Sequence, residues 1–177
     1  MIVYPKKYLK VLKMTLGFEG GYSNDPNDRG GSTNYGITQG TYNAYRISIR
    51  KPKRSVKYIN KEEVKDCYYG RYYKRGKCDY MPPAIATVHF DTVVNFGIYG
   101  GAKILQKTLG VKVDGKIGNI TLFACKKSNP KNIAIEYCKE RIKMRYILVK
   151  KRPKNKRFLR GWINRDNKMK MIIERNF

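Results

Sequence analysis

One stretch of the chain, residues 18–38, limits what its first part can fold into. It reads FEGGYSNDPNDRGGSTNYGIT, with five glycines and one proline among Asn, Asp and Ser residues. Such a composition predicts a tightly turned loop with a small hairpin, and neither a helix nor a long strand. Three of the chain's 13 acidic residues fall within ten positions of this stretch, at Glu19, Asp25 and Asp28. The loop therefore concentrates carboxyl groups in a chain that has few of them.

Helices are predicted on both sides of this loop. Residues 5–18 carry leucines along one face and start with a proline suited to a first helical turn, so Glu19 is expected where a packed helix ends. Asn60 followed by Glu63 has the pattern of a capping box. Residues 46–59 are predicted to be an exposed connection. Other helix starts are expected at Thr38, after Pro83, after the glycines at 97–101, and near Asn119 and Asn129, with a docked basic helix over residues 150–177.

The length and hydrophobic content indicate one domain. The chain has 177 residues, of which 41% are hydrophobic, and this is enough for a compact core. No stretch reaches the ~20 apolar residues of a membrane span, and neither an internal repeat nor a linker divides the sequence. We therefore predict a mainly α, single compact helical domain with a small β-hairpin.

The charge of the chain is strongly basic. Thirty-nine Lys and Arg residues against 13 Asp and Glu residues give a net charge of +26. Such a surface is expected to attract polyanions, which include nucleic acid, anionic lipid and acidic wall polymers. The basic residues are dispersed and no nucleic-acid-binding motif is recognisable, so we expect no specific nucleic-acid partner. The basic C-terminal helix is expected either to be a solvated face or to contact anionic wall polymers or a membrane surface.

No metal and no cofactor are predicted. The four cysteines are far apart and the single histidine, His89, does not give a zinc-binding spacing. We expect buried thiols, with a disulfide as the alternative. The N-terminal residues lack the apolar core of a signal peptide, because lysines interrupt each candidate run. We therefore expect a protein that is made in the cytoplasm without a signal peptide.

Two carboxyl groups in different surroundings are what the cleavage of a glycosidic bond requires. One donates a proton to the leaving oxygen, and the other stays ionised to direct water or to stabilise positive charge on the sugar. Glu19, at a helix end beside Phe18, suits the acid, whereas Asp25 and Asp28 lie in a polar turn and suit the ionised group. Ser32 or Thr33 would hold a water molecule between them. The alternative is a surface turn whose Asp and Asn side chains bind backbone amides.

The loop also resembles a known family. EGGY at 19–22 followed by NDPNDRGGSTNYGIT at 24–38 is similar to the signature of the phage and bacterial muramidases of glycoside hydrolase family 108. The second half resembles the peptidoglycan-binding region that accompanies these enzymes. The matching stretches there are residues 90–97, 102–106, 109–111, 114–118 and 157–165.

The resemblance implies a lysozyme-like α+β fold, with a catalytic half over residues 1–80 and a helical half over residues 81–177. It implies an endolysin that hydrolyses the β-1,4 bond between N-acetylmuramic acid and N-acetylglucosamine in bacterial peptidoglycan. Glu19 is the implied general acid, and Asp28 with Thr33 would position the attacking water. We favour Asp28 over Asp25 as second carboxylate because Asp25 precedes a proline and suits a turn.

Other residues are candidates for contact with the sugar. Tyr22 and Tyr35 flank the acidic loop, and Asn34 precedes the second of them. Asp91 and Asn95 are four residues apart and share a helix face, so they either line the sugar cleft or form a hydrogen bond between a helix and a loop.

Three other functions are compatible with parts of the sequence. A lytic transglycosylase uses a lone acid, and the spacing of Asp28 from Glu19 argues against it. A non-catalytic wall-binding protein would not need the intact acidic loop. A nucleic-acid binder would account for the basic charge but not for the acidic loop. We expect a monomer that reaches the cell wall after release, through a holin.

Overall fold

The fold is mainly helical in the computed structural model, which describes residues 3–24 and 31–177. Within these ranges there are seven α-helices and one two-stranded antiparallel sheet. In chain order the elements are α1 (Lys6–Leu16), β1 (Thr33–Asn34), β2 (Ile37–Thr38), α2 (Gln39–Ser48), α3 (Lys61–Tyr68), α4 (Pro83–Leu109), α5 (Asn119–Lys127), α6 (Pro130–Lys151) and α7 (Lys156–Asn176). The prediction of a mainly α fold with a small hairpin is confirmed.

Contacts within the chain divide it into two units, Met1–Arg71 and Tyr72–Phe177. The boundary falls in a π-helical turn, Tyr69–Lys74. The first unit holds the hairpin and α1 to α3, and the second holds α4 to α7. The organisation as one domain, with halves over residues 1–80 and 81–177, stays a prediction.

The first unit is built on α1, α2 and α3. Tyr8 and Leu12 of α1 are buried, as are Val64 and Tyr68 of α3. The Tyr8 hydroxyl donates to the backbone oxygen of Lys65 at 2.6 Å, which joins the two helices. Apolar side chains and one polar link thus hold α1 and α3 together.

The capping box at the start of α3 is confirmed. The Glu63 backbone N–H donates to Asn60 Oδ1 at 2.9 Å, and the Asn60 N–H donates to Glu63 Oε2 at 3.2 Å. The same carboxylate accepts hydrogen bonds from Tyr42 Oη at 2.8 Å and Arg46 Nη1 at 2.9 Å. Burial by itself would raise the pKa of Glu63, but these hydrogen bonds and the nearby Arg54 lower it below its ordinary value.

The prediction of an exposed connection over residues 46–59 is wrong in part. Helix α2 continues to Ser48, and a 3₁₀ turn follows at Val56–Tyr58. Val56 and Ile59 are buried. Arg54 donates to Tyr42 Oη and to the Glu63 carboxylate. The segment is basic in sequence, but Val56 and Ile59 are buried and Arg54 binds buried polar groups of the first unit.

The second unit is centred on α4. This helix is interrupted at Gly97, whose φ of 74° and ψ of 167° are not helical and are essentially restricted to glycine. The predicted glycine-rich corner between two helices is therefore confirmed as a break within α4. Helices α6 and α7 pack on each other, and α6 packs on α4. Met169 and Ile173 of α7 are fully buried, so the basic C-terminal segment is a docked helix as predicted.

A buried ion cluster joins α4, α6 and α7. Arg141 of α6 donates to Asp91 of α4 at 2.7 Å and also to Asp166 of α7, and all three side chains are fully buried. Arg165 binds the other Asp91 oxygen at 2.6 Å. Arg145 binds Asp166 at 3.2 Å. We refer to these five residues as the ion cluster.

The other helix starts follow their predicted signals closely. Thr38 Oγ1 accepts from the Thr41 N–H at 3.2 Å, and Asn129 Oδ1 accepts from the Asn132 N–H at 3.0 Å. Helix α5 begins at Asn119 itself, with Gly118 before it, so Asn119 is the first helical residue and not its cap.

All four cysteines lie in the described part of the chain, and each is a buried free thiol. Burial raises the pKa of Cys67 and of Cys138 to about 12, and that of Cys125 to about 11. His89 is also fully buried, and burial lowers its pKa to about 4. Over the described residues, no helix is both long and apolar enough to cross a membrane.

Candidate active site

Glu19 lies in a short turn that follows α1. Its backbone N–H donates to Leu16 O at 3.1 Å, and the Phe18 N–H donates to Thr15 O at 3.0 Å. Thr15 is buried and Glu19 is half-buried. The carboxyl group is thus attached to a turn that is fixed at the end of a packed helix, as the sequence predicted.

The hairpin turn lies against this carboxyl group. Tyr35 and Gly36 connect β1 to β2, and their φ angles of 49° and 71° have the signs that a type I′ turn requires. A Cβ atom on Gly36 would overlap the Glu19 carboxyl group and would lie 2.8 Å from Tyr68 Oη. Tyr68 Oη donates to Tyr35 O at 2.8 Å. The absence of a side chain at Gly36 therefore lets the turn, the glutamate and the tyrosine hydroxyl meet.

The acidic loop is closed at its base by a pair of backbone hydrogen bonds. The Ser23 N–H donates to Thr33 O, and the Thr33 N–H donates to Ser23 O, both at 2.8 Å. Thr33 is also paired with Thr38 in the hairpin. Asp25 and Asp28 fall between the two ends of this loop, outside the described residues, so their predicted roles stay predictions.

The predicted sugar-binding residues of the first unit have different surroundings. The side chains of Tyr22 and Tyr35 are exposed by 44% and 36%. The Lys57 ammonium group lies 5.9 Å from the centre of the Tyr22 ring. Asn34, in contrast, is buried, and its side-chain nitrogen donates to Val56 O at 3.3 Å and Lys57 O at 3.2 Å. Asn34 therefore fixes the hairpin to the 3₁₀ turn.

A pocket of about 390 Å³ opens beside Glu19. One end is formed by Glu19 and Tyr35 together with Gly20 and Gly21. The remainder runs between α1 and α3 and is lined mostly by apolar side chains. Its volume is in the range of small-molecule sites. The structure thus places the predicted acid and one predicted aromatic contact on the same cavity.

Tyr68 is a neighbour of Glu19 that sequence reasoning missed. It is one of several tyrosines near the end of α3, and tyrosines on a helix face usually serve packing. Its ring is indeed buried, but its hydroxyl group reaches the hairpin turn. Nothing local in the sequence distinguishes this tyrosine from its neighbours, because its role depends on a turn 33 residues earlier.

Asp91 and Asn95 lie in the second unit and belong to the ion cluster or border it. Asp91 is fully buried, and its oxygens are bound by Arg141 and Arg165. Asn95 donates to Asp91 O at 2.8 Å and accepts from Arg145 at 3.3 Å. The predicted alternative, a hydrogen bond between a helix and a loop, is wrong in its partner, because the arginines that bind this pair lie on α6 and α7. Contact of either residue with the sugar stays a prediction.

Two family models match the chain, and solved structures match it as well. Residues 12–97 match the model described as glycosyl hydrolase 108, and residues 100–167 match a model described as a predicted peptidoglycan domain. The solved structure of SagA from Brucella abortus is 30% identical, with a TM-score of 0.80, and the similarity covers 94% of this chain and 93% of that one. No curated protein matches the chain.

These matches agree with the helical fold and the glutamate-bearing loop. Together they place the protein among the glycoside hydrolases that act on peptidoglycan. Within that class the chain belongs to the glycosyl hydrolase 108 family. The resemblance drawn from the sequence is thereby confirmed, and peptidoglycan is the substrate partner that the second model supports.

Proposed function

We propose that the protein is an N-acetylmuramidase in which Glu19 is the general acid. It would hydrolyse the β-1,4 bond between N-acetylmuramic acid and N-acetylglucosamine. The observation that carries this proposal is the position of Glu19, at one end of the pocket and in contact with Gly36. A general acid must stay within hydrogen-bonding reach of the leaving oxygen, and a carboxyl group held by a helix end and a hairpin turn meets that requirement.

Asp28 is proposed as the second carboxylate, with Asp25 as the alternative, and Thr33 as a residue that positions water. Thr33 is suited to this because its backbone is fixed on both sides, by Ser23 and by Thr38. If water attacks directly, the two carboxyl groups lie about 6.5–9.5 Å apart and the anomeric centre is inverted. If an aspartate is the nucleophile, the separation is about 5 Å and the configuration is retained.

The experiment is mass spectrometry of the fragments that the wild type and the Glu19→Gln variant release from purified peptidoglycan. We expect fragments with reducing-end muramic acid from the wild type and none from the variant, because glutamine has no proton to donate. Asp28→Asn and Asp25→Asn, measured in parallel, identify the second carboxylate. Circular dichroism checks that each variant is folded.

Three outcomes would change the proposal. Fragments with anhydro-muramic ends would assign the protein to the lytic transglycosylases. A folded Glu19→Gln variant that still releases fragments would exclude Glu19 as the acid. No fragments from the wild type would leave a wall-binding protein.

We also propose the biological role of an antimicrobial phage or prophage endolysin that is made in the host cytoplasm and reaches the wall through a holin. This role rests on the resemblance of the acidic loop to phage enzymes. Attraction of the protein's net charge of +26 to anionic wall polymers supports it.

A further inference from the structure

The part of the pocket that extends away from Glu19 has an unusual composition for a sugar site. Its floor is aliphatic, with Leu9 and Leu12 from α1 and Val64 from α3. Leu9 is 41% exposed although it faces this cavity. Three lysines form the rim. We call this part, defined by Leu9, Leu12, Lys13, Lys61, Val64 and Lys65, the lysine-rimmed groove.

The positive charge of the groove is only partly neutralised. Lys65 forms an ion pair with Glu62 at 2.6 Å. Lys13 and Lys61 are exposed and form no ion pair with any residue in ranges 3–24 and 31–177. Two ammonium groups therefore border an apolar surface that is continuous with the pocket end at Glu19.

An apolar surface bordered by lysines suits one part of peptidoglycan better than another. Sugar rings bind through hydroxyl groups to polar side chains and by stacking on aromatic rings, and the floor of the groove offers neither. A peptide stem, in contrast, carries methyl groups and free carboxylates on one short chain. Its methyl groups would cover the leucines and its carboxylates would approach the two lysines.

We propose that the lysine-rimmed groove binds the acidic peptide stem attached to the muramic acid at the cleavage site. The inference rests on the proposed function, because the stem enters the groove when its sugar lies beside Glu19. It makes the enzyme selective for glycan that carries stems. Lys13 and Lys61 are then residues that determine specificity and take no part in the chemical step.

The test compares two substrates that differ only in the stem. One is purified peptidoglycan, and the other is the same material after an amidase has removed its peptides. The variant carries Lys13→Ala and Lys61→Ala. A matched control carries Lys51→Ala and Lys53→Ala, which removes the same charge from the same unit at exposed positions outside the pocket.

The wild type is expected to cleave the stem-bearing glycan with the higher kcat/KM. Loss of two charge contacts should lower that value by about tenfold in the Lys13/Lys61 variant, mainly through KM, and should leave cleavage of stem-free glycan unchanged. The Lys51/Lys53 control should match the wild type on both substrates. Leu9→Ser, at a half-exposed position, should reduce the same preference without unfolding the protein.

Other outcomes would overturn the inference. An equal loss of kcat/KM on both substrates, or the same loss in the control, would show that the effect comes from net charge and not from the groove. Binding to vesicles of anionic lipid that is lost only in the Lys13/Lys61 variant, with an unchanged substrate ratio, would assign the groove to a lipid surface. If the wild type cleaves neither substrate, the proposed function fails separately. Isothermal titration calorimetry with a synthetic muramyl peptide then tests binding to the groove alone.

Discussion

At Gly36 the hairpin turn approaches a carboxyl group more closely than any residue with a side chain would allow. The φ angle of 71° already favours glycine, and a Cβ atom would overlap the Glu19 carboxyl group. Gly31, in the same glycine-rich stretch, has a similar φ of 66°, but no atom of residues 3–24 or 31–177 lies within 4 Å of its Cβ position. The two glycines therefore share the backbone requirement and differ in the contact with Glu19.

This difference predicts unequal effects of the same substitution. Gly36→Ala and Gly31→Ala should each lower the free energy of unfolding by at least about 1 kcal/mol, because both place alanine in the left-handed region, and the overlap with Glu19 should add to this cost at Gly36. Only Gly36→Ala should displace the Glu19 carboxyl group, and a displacement of about 1 Å is enough to lower turnover by about a hundredfold. Urea unfolding measures the first effect and release of peptidoglycan fragments the second. Equal activity of the two folded variants would show that the Gly36 contact does not position Glu19.

At the scale of elements, the ion cluster links α4, α6 and α7 of the second unit. Burial alone would raise the pKa of Asp91, but the charges of Arg141 and Arg165 lower it below its ordinary value. Stability from this carboxylate is therefore fully present above the ordinary aspartate pKa, near 4, and is lost as the pH falls through the lower folded value. The cluster should weaken only in strongly acidic solution.

Asp91→Asn should destabilise the second unit by about 3–5 kcal/mol at neutral pH, because it removes one of the two carboxylates that bind the buried Arg141 and also breaks the ion pair with Arg165. Asp79→Asn is the matched control, since Asp79 is exposed and lies 3.8 Å from Lys74, and its effect should be below about 1 kcal/mol. Denaturant unfolding between pH 3 and 7 measures both. A stable Asp91→Asn variant with weaker binding to glycan would instead support the predicted contact of Asp91 with the sugar.

The elements that could be predicted from the sequence are those with local signals. The caps at Thr38, Asn60 and Asn129 each act within three residues, and Gly97 interrupts α4 where glycines accumulate. Burial around Val56 could not be predicted from that segment's basic composition, because it depends on contacts with β1 and α2.

In the candidate site, too, features with a local sequence signal could be predicted and contacts between distant residues could not. The position of Glu19 after α1 follows from the helix pattern and the loop composition. The contacts of Asn34 with the 3₁₀ turn and of Asp91 with Arg141 join residues 22 to 50 positions apart, and no spacing in the sequence signals them. Such contacts decide whether a polar side chain faces a ligand or another part of the chain.

At the scale of the whole molecule, the net charge of +26 should govern how the protein attaches to the wall. Binding of the Glu19→Gln variant to purified walls should weaken steeply from about 0.05 to 0.5 M salt, because exposed charges are screened beyond about 10 Å at 0.1 M. Sedimentation with the walls measures the bound fraction without cleavage. Binding that does not change with salt would exclude electrostatic attachment.

The contribution of the C-terminal basic segment to this attachment can be separated from that of the total charge. Replacing Lys154, Lys156 and Arg160 by glutamine removes three exposed charges there, and replacing Lys6, Lys51 and Lys53 removes three exposed charges from the first unit. If the C-terminal basic segment is the contact surface, the first variant should lose more wall binding than the second at low salt. Equal losses would indicate attraction by the whole surface.

The buried thiols have a consequence for the conditions that the protein tolerates. Disulfide exchange and most thiol oxidation proceed through the thiolate, and a pKa of about 12 leaves roughly one Cys67 side chain in 10⁵ in that form at pH 7. Because none of the four cysteines is paired in the folded chain, the polypeptide should reach its native state without an oxidant or a disulfide isomerase. Once folded, it should pass from a reducing to an oxidising solution without forming disulfides at Cys67, Cys125 or Cys138.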